Sequence, residues 1–127
     1  MARIVVADDD IDIRELVEFK LTAMGHDIVA VADGAAAVEA CRAQRPDLAV
    51  LDVMMPGMSG LEAVRLIRAD PTLADLPVVL LTARAQESDV ATGFESGADD
   101  YITKPFSPRE LAKRVDSLLA RESPDSH

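Results

Sequence analysis

Tryptophan is absent from this chain, cysteine and tyrosine occur once each, and only two histidines are present. A single thiol, Cys41, cannot close an internal disulfide, so a reducing cytosol is the expected compartment. Neither His26, which follows a helix-ending glycine, nor the terminal His127 has an acidic, Ser or Cys partner, so surface roles suffice and a phosphohistidine carrier or a hydrolase is disfavoured. Positive charge is also scarce. Lys and Arg number 13 against 23 Asp and Glu, a balance of 13 minus 23, or −10, which opposes direct binding to nucleic acid or to an anionic membrane. Long apolar runs are missing too: Leu76-Pro-Val-Val-Leu-Leu81 falls far short of the roughly 20 residues that span a bilayer. The opening Met-Ala-Arg carries no basic and apolar leader, and no internal repeat or low-complexity block is visible.

What is present is apolar substance. Of 127 residues 49% are hydrophobic, enough for one domain to fold without staples. Residues 1–120 are expected to form it, with 121–127 as a polar tail. Short β-branched runs at Arg3 to Ala7, Asp27 to Val31, Leu48 to Leu51, Pro77 to Leu81 and Asp100 to Thr103 are apolar throughout, the mark of strands covered on both faces. Between them, Asp12 to Met24 places Ile13, Leu16, Val17, Leu21 and Met24 on one helical face, and Gly25 supplies the stop. Further helices are predicted from about Ala35 to Gln44, Gly60 to Ala69 and Ser88 to Ser96, punctuated by Pro46, Pro71 and Gly97. The last begins at Ser107-Pro-Arg-Glu110, a Ser cap with Pro at the first helical position and a Glu able to close a capping box, and runs to about Ala120. Five β/α repeats imply an α/β fold, a doubly wound, flavodoxin-like (βα)5 arrangement with a five-stranded parallel sheet in the order 2-1-3-4-5. Its functional crevice should lie beyond the carboxyl ends of the strands, where the winding reverses.

Polar groups collect at those ends. Strand one ends in Asp8-Asp9-Asp10, strand three in Asp52, strand four in Thr82 and strand five in Lys104-Pro105. Taken singly, the aspartate triplet reads as a turn whose Asp10 caps the first helix, and Asp52 as the start of the turn Met54-Met55-Pro56-Gly57. Their convergence overrides both readings. Two carboxylates about 4 Å apart repel by about 4 kcal/mol at an effective dielectric near 20, and Lys104 alone cannot neutralise Asp8, Asp9 and Asp52. The pocket suits a hard cation such as Mg²⁺ and a substrate with phosphoryl oxygens. A carboxylate can itself be the nucleophile, forming an aspartyl phosphate, and Asp52 is placed for that role.

Val5-Val6-Ala7-Asp8-Asp9, Asp47-Leu-Ala-Val-Leu-Asp52-Val-Met-Met-Pro56-Gly-Met-Ser-Gly60, Leu80-Leu-Thr82-Ala83 and Gly97-Ala-Asp-Asp-Tyr101-Ile-Thr-Lys104-Pro105-Phe106 together resemble the receiver domain of two-component response regulators over nearly the whole chain. The resemblance implies a phosphorylation-dependent signalling switch rather than an enzyme acting on an external substrate. Asp52 would accept phosphate from a sensor histidine kinase or a histidine phosphotransfer protein. Asp9, Asp52 and the backbone carbonyl of Met54 would bind Mg²⁺, with Asp8 acting through metal-bound water. Lys104 would pair with phosphoryl oxygens, Thr82 would hydrogen-bond one of them, small Ala83 would leave room for the donor, and Lys104-Pro105 would be cis. Thr82 and Tyr101 would be the switch pair, reshaping the surface of the helix at 88–96, the last strand and the last helix for a downstream partner. Met54 and Arg84, at two positions that tune phosphate lifetime in this family, imply slow hydrolysis.

Lys104-Pro-Phe-Ser-Pro-Arg-Glu-Leu111 most resembles the receivers of winged-helix transcription factors, which can form phosphorylation-dependent dimers through paired charges. Asp99 and Arg114 fit one pair, but Val90 stands where Glu110 needs a base, and Asp116 stands where a base should face Glu95. That surface is expected to have departed from the dimer or to serve another partner, a phosphorylation-dependent dimer being the alternative. Ending after the last helix, the chain reads as a stand-alone receiver or as the receiver part of a longer DNA-binding regulator. A Mg²⁺-dependent phosphatase is disfavoured because Met54 replaces the second Asp such an enzyme needs. A flavodoxin-like nucleotide-binding module is disfavoured because the loop from Asp8 to Asp12 is anionic and lacks glycine. Met54, Met55 and Met58 read as a loop packing its own thioethers rather than a soft-metal site, and Cys41 as a packing residue.

Overall fold

The computed structural model describes residues 2–83 and 97–122. In chain order it contains β1 (Arg3–Ala7), α1 (Ile11–Ala23), β2 (Asp27–Val31), α2 (Gly34–Ala43), β3 (Leu48–Asp52), α3 (Gly60–Ala69), β4 (Val78–Thr82), β5 (Asp100–Thr103) and α4 (Pro108–Glu122). The helix expected at Ser88 to Ser96 lies outside the described residues. All four strand pairings are parallel, and the order is β2-β1-β3-β4-β5, as the alternation of strand and helix signals requires.

Side chains that alternate along each strand divide the core into two layers. Val5, Ala7, Ala49, Leu51, Val78 and Leu80 pack with Val38 and Cys41 of α2 and Val64 and Ile67 of α3. Their neighbours Ile4, Val6, Leu48, Val50, Val79 and Leu81 pack with Val17 and Leu21 of α1 and Leu111, Val115 and Leu118 of α4. β1, β3 and β4 are therefore apolar on both faces because both faces are roofed.

β2 corrects the expectation that every strand is covered on both faces. It sits at the sheet edge with Asp27 and Val29 exposed. Leu16 likewise leaves the predicted apolar face of α1 and is exposed, while Ile13 and Met24 pack only partly. β3 and β4 each run one residue beyond the expected end, because Asp52 pairs with Leu81 and Thr82 with Thr103. β4 also starts one residue late, since Pro77 offers a carbonyl but no N–H to the ladder.

Asp10 caps α1 as expected, accepting from the backbone N–H groups of Asp12 and Ile13. Gly25 beyond the helix takes a φ of 93°. At α4 the Ser107 hydroxyl accepts from the Glu110 N–H at 3.0 Å, and the Glu110 carboxylate lies 3.8 Å from Arg114 one turn on. That helix continues to Glu122, two residues beyond the expected end; residues 123–127 lie outside the described residues. Cys41 is fully buried, and burial pushes its thiol up to about 11. Met55 and Met58 pack against the core as the loop reading requires, whereas Met54 is exposed. His26 is more than a surface residue: its Nδ1 accepts from the Ala2 N–H at 3.1 Å, and its buried Nε2 has no hydrogen-bond partner.

Candidate functional site

The winding of the sheet reverses between β1 and β3, and the residues that follow β1 meet the last residue of β3 there. One carboxylate oxygen from each of Asp8, Asp9 and Asp52 lies within 4.8 Å of the others. Asp8 is fully buried and Asp52 only 4% exposed, while Asp9 faces solvent. Two inner carboxylates are thus fixed by protein and the third guards the opening.

Each inner side chain is oriented by neighbours. Asp8 Oδ1 accepts from the Asp10 N–H at 2.9 Å, and Asp8 Oδ2 accepts from Lys104 Nζ at 3.0 Å. The Asp8 carbonyl accepts from an Arg14 guanidinium N–H at 2.8 Å, and its N–H donates to Val31 at 3.2 Å. Asp52 Oδ1 stands 3.4 Å from Lys104 Nζ. Behind Asp52, the helix α3 begins on Gly60, where any Cβ would overlap the Asp52 backbone carbonyl. Lys104 follows directly on β5, and the Lys104-Pro105 bond after it is cis, as expected.

One ammonium between two buried carboxylates leaves an excess of negative charge. Burial, then the charge of Asp8, raises Asp52 from 3.8 to about 6 despite the opposing attraction of Lys104. Burial pulls the Lys104 ammonium down, but its hydrogen bond to Asp8 and the charges of Asp52 and Asp8 outweigh this and hold it above its ordinary value. The donor set is all hard oxygen, partly open to water and short of positive charge. These residues fit a small divalent cation such as Mg²⁺.

Thr82 is 4% exposed at the end of β4, one position beyond the residue paired with Asp52, and Ala83 after it is exposed. Tyr101 is buried in the same core layer as Leu80, its partner in the strand register. An ordinary surface aromatic would not sit there. Arg84, Val90 and Glu95 lie outside the described residues. On the side of β5 facing α4, Arg114 pairs with Asp100 at 2.6 Å, and Asp99 pairs instead with Arg68 at 2.8 Å. Arg14 was not among the residues singled out from sequence. Its role shows only in the structure, where its guanidinium reaches back to the Asp8 carbonyl.

A family model for the response regulator receiver domain matches residues 4–116. The chain is 47% identical over 119 residues to the DNA-binding response regulator MtrA of Mycolicibacterium paratuberculosis; the match covers 94% of this chain and 52% of MtrA, so the chain spans about half the length of that relative. A crystal structure of a putative response regulator from Chloroflexus aurantiacus superposes with a TM-score of 0.90 at 36% identity, covering 94% of this chain and 98% of that one. The receiver domain of the sensor histidine kinase PA1611 from Pseudomonas aeruginosa, crystallised with a magnesium ion coordinated in its active-site cleft, superposes with a TM-score of 0.87 at 30% identity, covering 93% and 97%.

Proposed function

Because the chain belongs to the response regulator receiver domain family, we propose that it is a phosphorylation-dependent switch in which Asp52 is the phosphoacceptor. The observation that carries this reading is the placement of Asp52: nearly buried, 3.4 Å from Lys104, and within reach of two further carboxylates at the reversal of the sheet. A carboxylate oxygen of Asp52 attacks phosphorus while the bond from phosphorus to the donor breaks, the phosphohistidine nitrogen of a kinase or the acyl oxygen of acetyl phosphate keeping the electron pair. Lys104 is drawn from its carboxylate partners toward the new phosphoryl oxygens, and Thr82 donates to another.

Asp9, Asp52 and the Met54 carbonyl would hold Mg²⁺, with Asp8 behind a bound water; the magnesium ion in the active-site cleft of the PA1611 receiver supports a cation in this cleft. When bound, the ion supplies the positive charge that the transferring phosphoryl group requires. Asp52 must be ionised to attack, and its position near 6 leaves it mostly so at pH 7.5. Acting on its own acceptor, the chain also hydrolyses the acyl phosphate slowly, since the exposed thioether of Met54 offers no group to position water.

The signal leaves through Thr82 and Tyr101 to the surface around β5 and α4 and reaches a downstream protein or a linked output domain. That surface does not form the paired-charge dimer of winged-helix regulators: Asp116 is exposed where a base is needed, and Arg114 and Asp99 are engaged within the chain. A cytoplasmic setting suits this role; among the described residues no helix is long and apolar enough to cross a membrane. Incubation with Mg²⁺ and acetyl phosphate followed by intact-mass measurement tests the central claim. Wild type gains one phosphoryl group and Asp52→Asn gains none; equal labelling of both would refute it.

A further inference from the structure

The first turn of α1 carries a cation where helix electrostatics disfavour one, since the N-terminal end already bears partial positive charge. Arg14 occupies that turn, with its own N–H bonded to the Asp10 carbonyl at 2.9 Å. Its guanidinium turns back over the loop and donates to the Asp8 carbonyl at 2.8 Å in a partly buried position. That carbonyl belongs to the peptide joining Asp8 to Asp9. Fixing its plane fixes the direction in which the backbone leaves toward Asp9, the one solvent-facing carboxylate of the acidic trio.

We infer that Arg14 is a positioning residue, holding the Asp8–Asp9 peptide so that the Asp9 carboxylate is pre-aimed at the cation. The inference rests on the reading of this trio as the Mg²⁺ site. Asp8 is already tied at both carboxylate oxygens and at its N–H, so its carbonyl is the remaining joint. Arg14 closes it. A guanidinium suits the task because its charge is permanent and its planar fork holds a carbonyl with little loss of side-chain freedom per bond.

The sign of one measurement separates positioning from a bystander charge. A cation near three carboxylates opposes Mg²⁺ by repulsion, so removing a mere neighbour would tighten the ion. Removing an outer partner that aims a ligand loosens it, by 10–100-fold in metal sites generally. Calorimetric titration of the full chain with Mg²⁺, well below its unfolding temperature and with circular dichroism to verify the fold, should show the dissociation constant of Arg14→Gln raised about 10-fold. Arg14→Lys, which keeps the charge and a donor, should recover part of that loss. Unchanged or tighter Mg²⁺ binding by Arg14→Gln overturns the inference. Should that variant not fold, Arg14→Lys decides: weaker binding supports positioning and unchanged binding refutes it. Wild type that binds no Mg²⁺ would sink the parent reading and this one with it, a failure visible before any variant is made.

Discussion

Asp52 carries a cost that can be read as stability. Burial and Asp8 raise it from 3.8 to about 6, so in the metal-free chain the folded state holds this proton more tightly than the unfolded state does. Between about pH 4 and 6 the native form therefore binds more protons, and the contribution of this group to stability falls as pH rises through 6. Asp52→Asn removes the penalty. Compared with wild type without Mg²⁺, it should be more stable by up to about 3 kcal/mol at pH 7.5, the gap closing by pH 4. Paired thermal unfolding scans across that range measure it, and a constant gap would show that the carboxylate is not strained. Asp8 and Asp52 were legible in sequence because each stands immediately after an apolar run, and Asp9 as the neighbour of Asp8. Arg14 was not, because a base on an exposed helix looks like ordinary surface until its carbonyl partner is seen across the turn.

At the level of elements, α2 and α3 both begin on glycine for want of space. A Cβ at Gly34 would overlap the Met58 carbonyl, and one at Gly60 the Asp52 carbonyl. The β3–α3 loop is thereby seated between two helix starts, which explains why Met55 and Met58 are packed while Met54 is not. Gly60→Ala should lose about 1–3 kcal/mol by overpacking and slow labelling by acetyl phosphate, because backbone must move beneath the acceptor. Gly25, with open space around it and a φ of 93°, offers a contrast in which an added methyl meets only conformational strain. Gly25→Ala should therefore leave labelling untouched. Denaturant titration together with mass spectrometry reads both effects. Strand and helix identities followed from periodicity, but no pattern of apolar residues reveals that Gly60 abuts a carbonyl eight residues earlier. Edge effects escaped in the same way: the Val29 of β2 looks like any core valine until the strand order leaves one of its flanks without a neighbour.

For the molecule as a whole, the question is whether phosphorylation makes it self-associate. Its charge of −10 already disfavours two copies meeting, and each phosphoryl group adds about −1.5 to −2 at pH 7. With Asp116 exposed and Arg114 and Asp99 committed to partners in their own chain, light scattering should give a monomeric mass with and without Mg²⁺ and beryllofluoride. A stable dimer formed only with the phosphate mimic would contradict the reading of this face. Strand order and the meeting of distant carboxylates could be anticipated because parallel β/α winding leaves few alternatives; the intrachain pairing of Asp99 with Arg68 could not, since it joins residues that share no motif. The buried Cys41 has a practical corollary. With its thiol shielded and pushed to about 11, it should ignore maleimides under native conditions, so a cysteine introduced at the exposed Ser117 would take a fluorophore or spin label alone and could report movement of the output face in real time.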